Sequence, residues 1–238
     1  MQIISLWSGP RNVSTALMYS FAQREDTEVI DEPFYGHYLS KVPVDHPGRE
    51  EVLTHMETDG IRVMEHLLLK GQKPLRFIKN MAHHWIGMEN ELLCNFTNVF
   101  LIRDPAEMLP SLVKQLPAAR LNDTALNMQV TLFDKLSSEG HRPVVIDSRL
   151  LLLNPRHILS RLCDAMAIPF HENMLSWKPG PRPEDGIWAK YWYHSLHASS
   201  GFTEYARKEE PFPEDLIPLL EECKPYYDYL YHKALKNQ

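Results

Sequence analysis

One short stretch of the chain has the composition of an anion cradle. Ser8-Gly9-Pro10-Arg11-Asn12-Val13-Ser14-Thr15 joins the apolar run Ile3–Trp7 to a helical stretch from about Ser14 to Gln23. Backbone N–H groups at the start of such a helix, with its dipole behind them, attract negative charge. Arg11 adds a cation, and Ser14 and Thr15 add hydroxyl donors. The Gly-Lys-Ser/Thr ending of a Walker loop is absent, Asn12-Val13-Ser14-Thr15 standing in its place. The same residues also fit a plain tight turn with Ser14 as helix N-cap.

Further reactive groups recur where other apolar runs end. Asp31-Glu32-Pro33 closes the second, Lys79 the third with His83-His84 after it, Arg103-Asp104-Pro105 the fourth, and Asp147-Ser148-Arg149 the fifth. Three cations and at least two acids thus share the edge where parallel α/β sheets bind their ligands. Lys79 fits either a site cation or a lysine snorkelling from a strand end. His194-x-x-His197 would share a helix face without an evident third ligand, and no CxxC or Cys/His metal spacing occurs, so no metal is expected. Trp7, Trp188 and Trp192 suit either stacking on a base or core packing.

The elements that must bring these groups together are legible in the pattern. Five β-like runs, Ile3–Trp7, Glu28–Asp31, Leu75–Ile78, Val99–Ile102 and Val144–Ile146, are separated by helical stretches. These include Glu50–Lys70, weakened by Gly60, and about Thr124–Glu139. Such alternation predicts a three-layer α/β/α fold with a mainly parallel central sheet, whose strand ends gather the ligand-binding loops. Ten of the 18 prolines lie at or beyond Pro143, so the last third reads as a covering loop followed by a closing helix from about Glu214 to Leu235. No linker divides the 238 residues, and one domain is expected, with the covering loop and helix at about 170–238.

Composition narrows the partners. A net charge of −6 argues against a general nucleic-acid binder but leaves room for a local basic pocket. No apolar run approaches the ~20 residues of a membrane span. Three scattered cysteines and a start without a basic leader fit a reducing, cytoplasmic setting.

Taken together, Pro10-Arg11-Asn12-Val13-Ser14-Thr15 and Arg103 with Ser111 eight residues on resemble the sulfotransferase family. A third similar segment runs from Val144 through Asp147-Ser148-Arg149-Leu150 to Asn154-Pro155 and Ile168-Pro169. The resemblance implies a P-loop NTPase-like fold and 3′-phosphoadenylyl sulfate as donor. It implies that Pro10–Thr15 binds the 5′-phosphosulfate, that Arg103 and Ser111 bind the 3′-phosphate, and that Arg11 and Lys79 serve the sulfuryl group without a metal. Glu32 or His83 would be the base. Val13 replaces the family's usual glycine and Asn12 a serine. The C-terminal Arg-Lys-Gly element is not recognisable, Arg182 and Gly186–Lys190 being the nearest candidates. The implied acceptor is a hydroxyl or amine of a small molecule or carbohydrate, bound by residues 33–50 and 178–205. A nucleotide-dependent phosphotransferase or kinase, and a non-catalytic nucleotide-binding module, are the alternatives. Oligomeric state stays open.

Overall fold

The apolar run at residues 2–8 is buried on both faces rather than alternately, the pattern of a central strand in a covered parallel sheet. The computed structural model describes residues 1–69, 71–206 and 210–236. Its order is β1 (Gln2–Ser8), α1 (Ser14–Ala22), β2 (Thr27–Asp31), α2 (Tyr35–Lys41), α3 (Arg49–His55), α4 (Gly60–Leu68), β3 (Leu75–Met81) and β4 (Thr97–Ile102). There follow α5 (Pro105–Leu112), α6 (Leu121–Thr124), α7 (Leu126–Ser138), β5 (Val144–Asp147), α8 (Ser148–Leu153), α9 (Pro155–Ala165), α10 (Ala189–Trp192), α11 (His194–His197) and α12 (Ile217–Lys233).

The five strands pair in the order β2-β3-β1-β4-β5, all parallel. The protein is thus α/β, with the three layers expected. Trp7, Ile78, Phe100 and Ile102 pack against apolar positions of α4, α5, α7 and α12 on one face. Ile4, Leu6, Phe77, Val99 and Leu101 meet α1, α8 and α9 on the other. A third, smaller cluster joins Tyr35, Tyr38 and Leu39 of α2 and Val52 of α3 to Trp188, Ala189 and Tyr193 of the covering segment.

Two local expectations change. The helix expected over residues 50–70 is two helices, because Asp59 accepts from the amides of Ile61 and Arg62 and starts α4 afresh. Gly60 is not a weak point within a helix but its first residue, where a Cβ would collide with the Met88 sulfur and crowd the His37 ring. The helix expected from Thr124 begins at Leu126, because Ala125 turns left-handed (φ 63°) between α6 and α7. The covering segment contains the short helices α10 and α11, and is closed by a bridge between Ser176 and Gly201.

The chain runs from β1 outward to β2, and from β4 outward to β5 in the opposite direction. The crevice between the ends of β1 and β4 is therefore the topological switch point, where open α/β sheets bind ligands.

Candidate active site at the strand ends

The loops after β1 and β4 are laced together across that switch point. The Nη1 of Arg103 donates to the carbonyl of Arg11 at 2.6 Å, and the Nδ2 of Asn12 donates to the carbonyl of Leu101 at 3.0 Å. The Nε of Arg11 donates to the Oγ of Ser111, on α5, at 2.9 Å. Arg11 sits at φ 54°, a left-handed conformation costly for a residue with a Cβ and common at ligand sites. Gly9 is required just before it, since a Cβ there would strike the Thr124 carbonyl oxygen. Burial, and then the neighbouring Arg103, make charge on Arg11 harder to keep, a repulsion that a bound anion relieves.

Ser14 is not the N-cap. Val13 holds that place without a side-chain cap, and its amide is taken by the Asn12 Oδ1 at 2.8 Å. Ser14 is the first helical residue, so the amides of Ser14, Thr15 and Ala16 precede the first helical hydrogen bond, from Leu17 to Val13.

Beside this basic end lies a buried acid–base knot. Parallel pairing sets Asp31 directly against Lys79, and Glu32 follows at φ 41° with its amide on the Lys79 carbonyl at 2.8 Å. Lys79 does not snorkel: it is 0% exposed. Its ammonium donates to Asp31 Oδ1 at 3.0 Å, to Tyr193 Oη at 2.6 Å, and to Glu32 Oε1 in a short contact. Tyr193 in turn donates to Asp31 Oδ2 at 2.8 Å, while Trp188 Nε1 donates to the Tyr193 oxygen at 3.2 Å. The covering segment is thereby tied to the sheet edge. Burial works against the Lys79 charge, but Asp31 and Glu32 outweigh it and hold its pKa well above the usual lysine value. Burial pushes the Glu32 carboxyl upward, opposed by the Lys79 ammonium.

Past Glu32 the wall is aromatic. His84 stacks on Tyr35 and Tyr38 with ring centroids at 4.9 and 4.7 Å, and Tyr38 meets His83 edge-on. The His84 Nδ1 lies 3.8 Å from Glu32 Oε2. Burial, then the neighbouring His46, lowers the His83 pKa to about 3; burial also drives His84 well below its usual value.

One cavity of about 360 Å³ joins all three regions. Pro10, Arg11, Asn12, Val13, Ser14, Thr15, Glu32, Lys79, His83, Arg103 and Ser111 line it together. Arg182 does not; its guanidinium lies over the Tyr19 ring at 5.1 Å, with Glu184 at 3.5 Å. Trp7 is core, edge-on to Trp85, whereas Trp188 and Trp192 reach the cavity. Asp147 caps α8 and accepts from Tyr227. His197 pairs with Asp185 at 2.9 Å. Among the described residues the one group spaced for a metal, exposed Cys94, Glu139 and His141, does not line the cavity. Of the acid and hydroxyl that hold Lys79, Asp31 is legible as a strand-end acid but carries no role in the sequence, and Tyr193 is not marked at all.

Fold and site define a parallel α/β protein of the P-loop type, with a basic loop at the switch point and a titratable knot beside it. The chain belongs to the sulfotransferase family: the sulfotransferase-domain sequence profile matches residues 1–234. It is similar in structure to the sulfotransferase domain from the curacin biosynthetic pathway (TM-score 0.55, 17% identity, 94% of this chain and 97% of that one). A sulfotransferase from Alicyclobacillus acidocaldarius is also similar (TM-score 0.57, 10% identity, 99% of this chain and 98% of that one). In sequence it is 40% identical over 232 residues to branched-chain-amino-acid aminotransferase-like protein 2 of Arabidopsis thaliana, covering 97% of this chain and 41% of that protein. It is 41% identical to the corresponding protein 1 of the same plant, again over 41% of its length. The chain thus spans about two fifths of these relatives. Among the described residues no helix is long and apolar enough to cross a membrane.

Proposed function

We propose that the chain transfers a sulfuryl group from 3′-phosphoadenylyl sulfate to a hydroxyl of a small acceptor. The observation that carries this reading is the lacing of Arg11, Arg103 and Ser111 at the switch point, with Glu32 in the same cavity. Two guanidiniums, a hydroxyl and the first-turn amides of α1 offer a densely anionic donor both charge and directed donors. Arg103 and Ser111 would hold the 3′-phosphate, and Arg11 with Pro10–Thr15 the phosphosulfate. The donor supplies an electrophilic sulfur whose leaving group is adenosine 3′,5′-bisphosphate.

Glu32 is the base in this reading. One of its oxygens is held by Lys79, and the other, Oε2, faces His84 across the cavity wall. Glu32 takes the acceptor's proton as the new S–O bond forms and the bond to the phosphate oxygen breaks. His83, with a pKa of about 3, is too weak a proton acceptor for that step. Lys79 already spends its three protons on Asp31, Glu32 and Tyr193, so its part is to orient Glu32 and to offset developing charge across the knot.

Aminotransferase chemistry, which the names of the plant relatives mention, finds poor support in these 238 residues. It needs a lysine at the site that reaches its neutral amine, and Lys79, the lysine that lines this cavity, is held as an ammonium between two carboxylates.

The test is a thermal-shift titration with adenosine 3′,5′-bisphosphate, and with ATP and Mg²⁺ in parallel. The bisphosphate should raise the melting temperature by mass action. A magnesium-dependent response to ATP with none to the bisphosphate would overturn the proposal.

A further inference from the structure

The cavity is oppositely charged at its two ends. Arg11 and Arg103 line the donor end, whereas past Glu32 the charged lining residues are Asp123, whose charge acts on Tyr38 and His46, and the exposed Asp45, whose charge acts on His46. Lys79, the other lining cation, is consumed by Asp31, Glu32 and Tyr193. That knot of two carboxylates and one ammonium is itself net negative. Arg49 stands behind His46 but does not line the cavity, its Nη1 donating to the carbonyls of Val42 at 3.0 Å and Val44 at 3.4 Å. Burial keeps His83 and His84 uncharged at neutral pH, so neither adds a cation.

The wall between the acids and the base is built of rings. Tyr38, His46 and Trp192 line it, with His84 beneath. His84 is 2% exposed and its Nδ1 has no hydrogen-bond partner, although it stands 3.8 Å from Glu32 Oε2. An orphaned polar atom beside the base is where a hydroxyl would find a second partner. Aromatic faces backed by carboxylates bind organic cations, and an acceptor carrying carboxylate or phosphate would meet like charge there. The cavity of about 360 Å³ is shared with the donor end, so the acceptor is compact.

We infer that the acceptor is a small amino alcohol, its hydroxyl between Glu32 and His84 and its ammonium against Tyr38 and Trp192, facing Asp123 and Asp45. This rests on the sulfotransferase reading and specifies its second substrate.

The experiment compares three alcohols of similar size on the intact protein with the donor present: choline, 3,3-dimethylbutan-1-ol as its uncharged isostere, and 4-hydroxybutyrate. Turnover is read as kcat/KM, and binding as a thermal shift in the presence of adenosine 3′,5′-bisphosphate. Choline should exceed the isostere by about tenfold, equivalent to ~1.4 kcal/mol, and the hydroxyacid should be the poorest. Asp123→Asn, which keeps an oxygen for the Arg120 amide that Asp123 now caps, should bring the choline-to-isostere ratio close to one. Asp45→Asn should lower it in part. An isostere that binds or reacts as well as choline overturns the inference, as does choline that neither binds nor reacts while the bisphosphate shift is intact. Loss of the bisphosphate shift itself would instead overturn the sulfotransferase reading.

Discussion

Arg103 reaches across the switch point to the carbonyl of Arg11, 92 residues earlier in the chain, at 2.6 Å. One guanidinium thus supplies positive charge to the cavity and also pins the left-handed turn that presents the other. Arg103→Ala removes both, and should abolish the thermal shift with adenosine 3′,5′-bisphosphate. Ser111→Ala leaves Arg11 without one neutral partner and should weaken binding by about five- to tenfold, near 1 kcal/mol. Equal losses in the two variants, measured by calorimetric titration, would contradict this division of roles.

Glu32→Gln keeps the shape of the side chain but not its basicity. The expected result is a fall in kcat of about 10²- to 10⁴-fold with bisphosphate affinity within a few-fold of the parent. His83→Ala should lose far less. The reverse ranking in single-turnover assays would make His83 the base.

Lys79→Met strands Asp31 and Glu32 as neighbouring buried carboxylates. Breaking a buried ion pair by removing one partner costs about 3–5 kcal/mol, and denaturant titration should show a loss of that order. Tyr193→Phe removes the hydroxyl shared by Lys79, Asp31 and Trp188 and should cost about 1–3 kcal/mol. It should also loosen the covering segment, read as faster hydrogen exchange over residues 186–197.

Stability should fall in mild acid. Unfolded, His83 takes up a proton near pH ~6.5; folded, burial and His46 delay that to about 3. Between those values the unfolded chain binds more protons, so stability rises with pH and is lost as pH falls. His84 and His46 are shifted in the same direction, while the raised Glu32 opposes them. Denaturation midpoints should therefore drop from pH 7 to pH 4, with a shallower slope in His83→Gln. A flat parent profile would show that these rings do not govern it.

Much of this arrangement is legible locally. The five apolar runs are the five strands, since strand period and turn chemistry are written in neighbouring residues. Arg11 and Arg103 stand out because strand ends in a parallel sheet share one edge, whereas Ser111, inside α5, is marked only by the resemblance to the sulfotransferase pattern. The misreadings are also local in origin. Gly60 reads as a flaw in one helix until Met88 and His37 are seen against it. Ser14 reads as a cap until the Asn12 side chain is seen on the amide of Val13. Arg182 has the right charge, but the covering loop folds its guanidinium onto Tyr19.

The sequence by itself determined the α/β class, the order of elements and the basic loop at the first strand end, because these follow from periodicity and turn residues. Tertiary structure alone decided the state of Lys79. Its fate depends on a strand 48 residues away and on Tyr193, 114 residues away, which the covering segment carries back over the sheet edge. A charge takes its character from whatever surrounds it after folding, and no spacing along the chain records that.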